Sequence, residues 1–327
     1  VAGLIVRRLL TSIPLIFGVL TLSFLLVECA PGKPIDYFLG DHPVSPETRA
    51  RIEAAYGLDR PPWSRYATWI GHALQGDLGW SLSRSRPVTR VLADALPATI
   101  GLASLALAIQ LFGGIALGAL HVARPHGTAD HALTAAGLTL ASAPAFWSGL
   151  MAILLFAVAI PLFPPSSSHS IGAGSWPLAA RITDALWHAL LPAAVLGFGS
   201  AGIVARFVRA GLLASLGEDF VRAARARGGS RLRLLLLHAG PAAAGPVITL
   251  AGLQLPMLVS GALVVEVVFG WPGMGRVAYD AVMAQDLPVV LAAVLLATLL
   301  VIAGSLAADL ALAAVDPRAR DARKRVS

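Results

Sequence analysis

Six stretches of this chain, Leu9–Val27, Leu96–Leu120, Ala132–Phe163, Leu186–Val204, Ala239–Val265 and Leu287–Ala308, contain no Lys, Arg, Asp or Glu. A bilayer core about 30 Å thick needs roughly 20 apolar residues of helix to cross it. Each stretch meets that length. The third is long enough to span with tilt or to run into an interfacial segment, and Pro144 and Pro161 can break it. Pro14, Pro192, Pro246 and Pro256 also fall inside spans, where membrane helices tolerate proline better than soluble ones. Composition agrees. Only 13% of residues are charged and mean hydropathy is +0.75, whereas soluble domains carry about a quarter charged residues. Too little polar surface remains to cover a soluble globule. The expectation is an all-α integral membrane protein with six transmembrane helices.

Basic residues set the expected orientation. With a cytoplasmic N-terminus, the inner segments 1–8, 121–131, 205–238 and 310–327 hold 15 basic and 5 acidic residues. The outer segments 29–95, 164–185 and 266–286, with Glu266 set aside, hold 10 of each. Both termini are therefore expected in the cytoplasm. The net charge of +7 reads as topology rather than as nucleic-acid binding. Val1–Arg8 resembles the start of a signal peptide, but no small-residue cleavage pattern precedes "ECAPGKP", so the first span reads as retained.

Two loops are large. The outer one, between the first two spans, contains "SPETRARIEAAYGL", a short helix opened by Ser45-Pro46, and "WSRYATWIGHAL", a second helix whose aromatics suit an interface. The inner one contains "EDFVRAARARGGSRLRLLLLHAG" (218–240), with seven charged residues in its first sixteen. Glu218 and Asp219 would complement a helix dipole, Arg222, Arg225 and Arg227 follow, and Gly228-Gly229 would end the helix. Ser230 would then cap a second helix leading into the fifth span. Two readings stand side by side: a compact elbow that docks a partner, or arginines that anchor topology against lipid phosphates.

Chemistry for bond-making is missing. The two lysines, Lys33 and Lys324, lie in no GxxxxGK[ST] loop, and there is no HExxH or GxSxG. One cysteine, Cys29, excludes an internal disulfide and a CxxC site. His121, His126 and His131 are read as loop histidines, since Pro125 and Gly127 interrupt any helix that would align them. No catalytic or metal residue is assigned. Glu28, Glu266 and Asp309 fall at span ends as interfacial carboxylates, so mid-bilayer acids of a proton-relay carrier are absent. Transport outranks catalysis.

"RAARARGGSRLRLLLLHAGP" resembles the cytoplasmic loop of permease subunits of ATP-driven (ABC) importers, through Ala223, Ala224, Gly228 and Pro241. Arg222 stands where many members have Glu, and His238 where many have Ile. "EDFVRAARARG…H…P", with Pro246 as the later proline, is similar more specifically to the oligopeptide/dipeptide/nickel branch. Further echoes run from about residue 5 to 320: "VRRLLTSIPLIFGVLTLSFLLVECAPGKP", "YGLDRPPWSRYATWI", "GDLGWSLSRSRPV", "LPATIGLA", "EVVFGWPGMGRVAYDAV", "DLPVV" and "DPRAR". Residues 161–185 depart from the usual pattern.

The resemblance implies a type I ABC importer permease in a bacterial cytoplasmic (inner) membrane, in contact with lipid and carrying no cofactor of its own. Expected partners are a homologous second permease subunit, two ABC ATPase subunits that would bind ATP and Mg, and an extracytoplasmic solute-binding protein. The ATPase-coupling loop would comprise Glu218, Asp219, Arg222, Ala223, Ala224, Arg225, Gly228, Gly229 and Arg231, within a cytoplasmic segment of about 213–238. Trp271, Pro272, Gly273 and Gly275 read as a rigid turn, or as gating or receptor-facing residues. The expected division is 1–28 (tail and first span), 29–95 (extracytoplasmic loop with short helices), 96–320 (core permease domain) and 321–327 (tail). Peptides are the leading cargo, nickel or a metal chelate the second. An ATP-independent channel or secondary carrier is a third reading.

Overall fold

The computed structural model describes residues 2–30, 45–55, 57–123, 127–230, 233–241, 247, 250 and 262–315. Helix α1 (Ala2–Glu28) covers the first apolar stretch. Two short helices follow, α2 (Pro46–Ala55) and α3 (Pro62–Ala73), where the sequence places them. Ser45 opens α2 by accepting the Thr48 N–H at its Oγ, 3.2 Å away. A two-residue ladder that the sequence reading did not foresee, β1 (Trp80–Ser81) against β2 (Arg86–Pro87), precedes α4 (Val88–Ala123). Then come α5 (Thr128–Ser142), α6 (Ala145–Ile153) with a π-helical extension over Leu154–Ala159, and α7 (Leu178–Leu216). After α7 lie a short helix, α8 (Asp219–Ala226), and a π-helical segment, Leu234–Ala239. The chain closes with α9 (Met274–Met283) and α10 (Leu287–Val315).

Helices α4 and α7 contain 36 and 39 residues, so they run roughly 54 and 58 Å at 1.5 Å per residue. Both overrun the apolar stretches that announce them, because hydropathy marks hydrocarbon and not the end of the helix. The third stretch is broken. Pro144 pushes Ala143 out of the helical region (ψ 134°), and the two halves meet at 106°. Four helices among the described residues are long and apolar enough to cross a membrane, or five if this bent pair is one span. Most of the expected fifth span, 239–265, lies outside the described residues, as do Pro246 and Pro256.

The chain divides into two compact units, one of Ala2–Thr99 with Pro272–Leu300 and one of Ile100–Trp271 with Val301–Ser327. The core of the first is a meeting of three helix faces. Val88, Val91, Leu92 and Ala95 come from α4; Met274, Val277 and Ala281 from α9; Val289, Val290, Ala292 and Ala293 from α10. The first two sets keep the three-to-four residue spacing of a single helical stripe. Asp286, ahead of α10, is almost fully buried and accepts hydrogen bonds from Ser81 Oγ (2.7 Å), Ser83 N (3.0 Å) and Ser83 Oγ (2.8 Å). That carboxylate holds the small ladder in place. Beside it, α3 rests on α1 through Arg65 to Glu28 (2.5 Å) and Tyr66 to Thr21 (2.7 Å). Trp63 on the same helix stays exposed, as an interfacial aromatic would.

The second unit is built on close approach. In lipid there is no hydrophobic drive to bring helices together, so small residues that let backbones touch take over. Gly114 and Gly118, four apart on α4, meet α7 at Ala201–Val204 and Ala205–Val208. A Cβ at Gly114 would lie 2.4 Å from Val204 Cβ, and one at Gly118 would lie 2.8 Å from the Ala205 carbonyl oxygen. On its α5-facing side, α7 places Gly202 against Gly137, with only 3.0 Å available to a Cβ.

Two sequence readings are corrected here. His121 is not an exposed loop residue: it ends α4, is 4% exposed, and its Nδ1 lies 2.5 Å from Asp130 Oδ1. His131 is exposed, and His126 lies outside the described residues. Glu266 is fully buried rather than interfacial, whereas Asp309 does lie at the end of the apolar span Leu287–Leu310, within a helix that runs on to Val315.

Replacing Gly118 with Leu inserts a side chain where a single Cβ already collides with backbone. The expected result is a destabilisation of about 1–3 kcal/mol or more. A lower midpoint of thermal unfolding in detergent, read by size-exclusion recovery, would register it; Gly101→Leu, at a position with open space around it, should leave recovery unchanged.

Candidate functional site

The charged inner segment folds as the elbow that its residue order anticipates. After α7 ends at Leu216, Glu218 takes an extended conformation (φ −75°, ψ 152°) and occupies the cap position of α8, with its side chain free of any capping bond. Asp219 supplies the negative charge of the first turn and pairs with Arg222. At the other end, the Gly228 N–H donates to the Arg225 carbonyl (3.0 Å) and the Gly229 N–H to the Ala224 carbonyl (3.2 Å). These two bonds, with Gly228 at φ +85°, form the left-handed cap in which the orphan carbonyls of a helix end are satisfied. Glycine adopts that conformation without the penalty other residues incur. Ser230 then opens the return helix: its carbonyl accepts the Leu234 N–H (2.9 Å), and its Oγ faces the Arg233 N–H at 3.4 Å.

The elbow has a core of its own. Val221 and Ala224, three apart on α8, are buried with Leu234 against Leu216. The two alanines therefore differ in role. Ala224 is spent on internal packing, which only a small residue allows where α8 closes on the return helix. Ala223 is exposed. On the side of α8 turned away from this core lie Asp219, Arg222, Ala223 and Ala226, all exposed, with Arg225 on one flank and Phe220 and Arg227 on the other. Glu218, Gly228 and half-buried Gly229 complete the outer surface; Arg231 lies outside the described residues.

Phe220 is the residue the sequence reading passed over. It is 47% exposed on a cationic helix. The available signal was its register: it falls one position before the buried Val221 and four before Ala224, at the border of the apolar stripe. A surface with a small-residue centre, an aromatic edge and a ring of arginines suits insertion into a groove on another protein, the mode by which short helices are bound.

The outer motif is packed differently. Trp271 is 5% exposed and its N–H donates to the Glu266 carbonyl at 2.8 Å, following Gly270 at φ +60°. Gly273 is buried at the cap position of α9, whose first N–H, that of Met274, donates to Thr99 Oγ1 at 2.7 Å. Gly275 is half-buried. Of the four motif residues only Pro272 is exposed, an arrangement that fits a rigid turn. Among the described residues there is no group of three or more His, Cys, Asp or Glu side chains able to hold a metal.

Comparison with known proteins follows the same lines. The family described as "Binding-protein-dependent transport system inner membrane component" matches residues 110–321. The chain is 36% identical to the dipeptide transport system permease protein DppB of Escherichia coli (strain K12), over 97% of this chain and 98% of that one. It is 34% identical to the oligopeptide transport system permease protein AppB of Bacillus subtilis (strain 168), over 97% and 99%. The di/tripeptide transport system permease protein DppB of Pseudomonas aeruginosa is 35% identical over 98% and 99%. Among solved structures, the inward-facing MetNI methionine ABC transporter matches with a TM-score of 0.52 at 18% identity, over 70% of this chain and 97% of that chain. At that identity the likeness speaks for the fold.

The cap at Gly228 gives a test that needs no partner. Gly228→Ala forces a side chain into the left-handed region, at a cost of roughly 1–2 kcal/mol. Amides of 219–229 should then exchange with deuterium about five- to thirtyfold faster, with membrane insertion unchanged.

Proposed function

We propose, for a chain that belongs to the family of binding-protein-dependent transport system inner membrane components, that it is a permease subunit of an ATP-driven importer of di- and oligopeptides. It is a multi-pass protein of the cytoplasmic membrane, consistent with its long apolar helices. The observation that carries the cargo is identity of 34–36% over nearly the full length of relatives named for dipeptide, oligopeptide and di/tripeptide transport. The match leaves no long segment of this chain to be explained by another function.

In this reading six spans place both termini and the elbow in the cytoplasm, and 29–95 forms an outer surface. A homologous permease completes the pathway, a solute-binding protein delivers peptide from outside, and two ATPase subunits bind ATP and Mg. The elbow docks in a groove of one ATPase. Its features support that role: Ala223 and Ala226 allow close contact, Phe220 offers an apolar anchor, and Arg222, Arg225 and Arg227 offer charge. Its own core and its glycine cap make it stiff enough to pass on a displacement, which a floppy loop would absorb. The chain itself has the part of a non-enzymatic transport subunit.

Nickel or a metal chelate remains the competing cargo, and one assay separates the two. The complex is assembled in lipid vesicles with its cognate permease, ATPases and binding protein. ATP hydrolysis and uptake should rise when the binding protein is loaded with peptide and stay at the basal level with chelated nickel. The reverse response would assign the nickel branch, and ATP-independent flux through this chain alone would overturn the importer reading. In the same complex, Gly228→Pro should leave insertion intact and abolish peptide uptake, since proline cannot take a positive φ.

A further inference from the structure

Asp130 is 4% exposed and lies on the first turn of α5. Burying a carboxylate is costly unless charge and hydrogen bonds compensate it. Here Arg209 of α7 grips it with two bonds, Nε to Oδ1 at 3.2 Å and Nη2 to Oδ2 at 2.8 Å. His121, on the last turn of α4, lies 2.5 Å from Oδ1 through Nδ1. Three helices that are distant in sequence thus converge on one side chain. Arg209 stands two turns before the end of α7, the helix that carries the elbow.

The packing around this cluster continues into the elbow. Val122, next to His121, is buried with Val208 and Leu212 of α7 and with Ala239 of the return helix. Leu216 packs against that cluster and also against the elbow core of Val221, Ala224 and Leu234. Side chains are therefore in unbroken contact from the elbow to the residues flanking the ion pair.

From this arrangement we infer that Asp130 is a positioning residue for energy coupling. It locks the elbow-bearing end of α7 to α4 and to the head of α5, so that a displacement of the elbow moves all three ends together and reaches the bent pair α5–α6. Without the lock, α7 can slide along its glycine contacts while α5 stays behind. The inference rests on the importer reading above and adds to it the route by which the elbow acts.

The test uses the assembled complex in vesicles with peptide-loaded binding protein, and reads peptide taken up per ATP hydrolysed. Asp130→Asn keeps the shape and removes the charge. It is expected to lower that ratio about tenfold, with ATPase subunits still bound. Adding Arg209→Gln to it is expected to cost nothing further, because the Asp130–Arg209 charge pair that this second change would break is already gone. Losses that multiply, or a wild-type ratio in Asp130→Asn, overturn the proposal. Arg209→Lys guards against a variant that does not assemble: it keeps the charge on a partly exposed side chain and loses only the two-pronged grip. It should assemble normally with the thermal midpoint of wild type and still show a ratio about threefold lower. An unchanged ratio there would also overturn the proposal. A wild-type complex without ATP-driven uptake would instead defeat the importer reading, before any variant is compared.

Discussion

Close approach between α4 and α7 is the constraint on which the larger unit depends. Lipid tails are as apolar as the side chains they would replace, so burial alone gives these helices little reason to associate. Dispersion between touching backbones does, and it falls away within an ångström or so of extra separation. Gly114 and Gly118 remove the atoms that would enforce that separation, and Ala201 and Ala205 remove them from the facing side. Once α4 and α7 are fixed, Gly202 can take up Gly137 of α5, and the three helix ends come close enough for Asp130 to be shared. The polar cluster is thus a consequence of the glycine seam. Placed on helices even slightly farther apart, the same three residues would leave the Asp130 carboxylate without the partners that compensate its burial.

The elbow follows the opposite logic. Its outward face is charged because it leaves the hydrocarbon, and it keeps shape through a miniature core of four side chains plus a satisfied helix end. Neither part is large. Together they distinguish a hinged segment from a rigid one, because α8 is held between the end of α7 and the return segment Leu234–Ala239.

Much of this was legible in the residues. The uncharged runs announce α1, α4, α7 and α10; the Gly228-Gly229 pair announces the end of α8; Pro144 announces a break. These are local signals, written in periodicity or in backbone restriction. What was not legible depends on which helix lies beside which. Nothing within reach of His121 in sequence says that it is buried, since its partner Asp130, itself gripped by Arg209, is brought to it by packing. Ala223 and Ala224 look equivalent as a pair, and only the return helix decides which of them turns inward. The ladder at Trp80–Ser81 has no strand-like run to betray it, because Asp286, some two hundred residues away, holds it. Glu266 looked interfacial because it directly follows an apolar run, yet it is fully buried, at the start of the turn that Trp271 closes.

Helix α7 also contains Pro192, buried mid-helix and therefore facing protein. Proline has no N–H to give to the carbonyl of residue 188 and its ring presses on that turn. A rod of about 58 Å converts a tilt of some 5° at one end into about 5 Å at the other, but only as far as it stays straight. The missing bond makes the turn at 188–192 the most compliant point along the rod. A displacement applied at the elbow end would therefore be carried in full by the part of α7 between Pro192 and Leu216, where the glycine contacts lie, and partly absorbed as bending beyond Pro192. In the importer reading proposed above, the helix would work as a lever with a built-in flexure, and the position of one proline would set how far its motion travels.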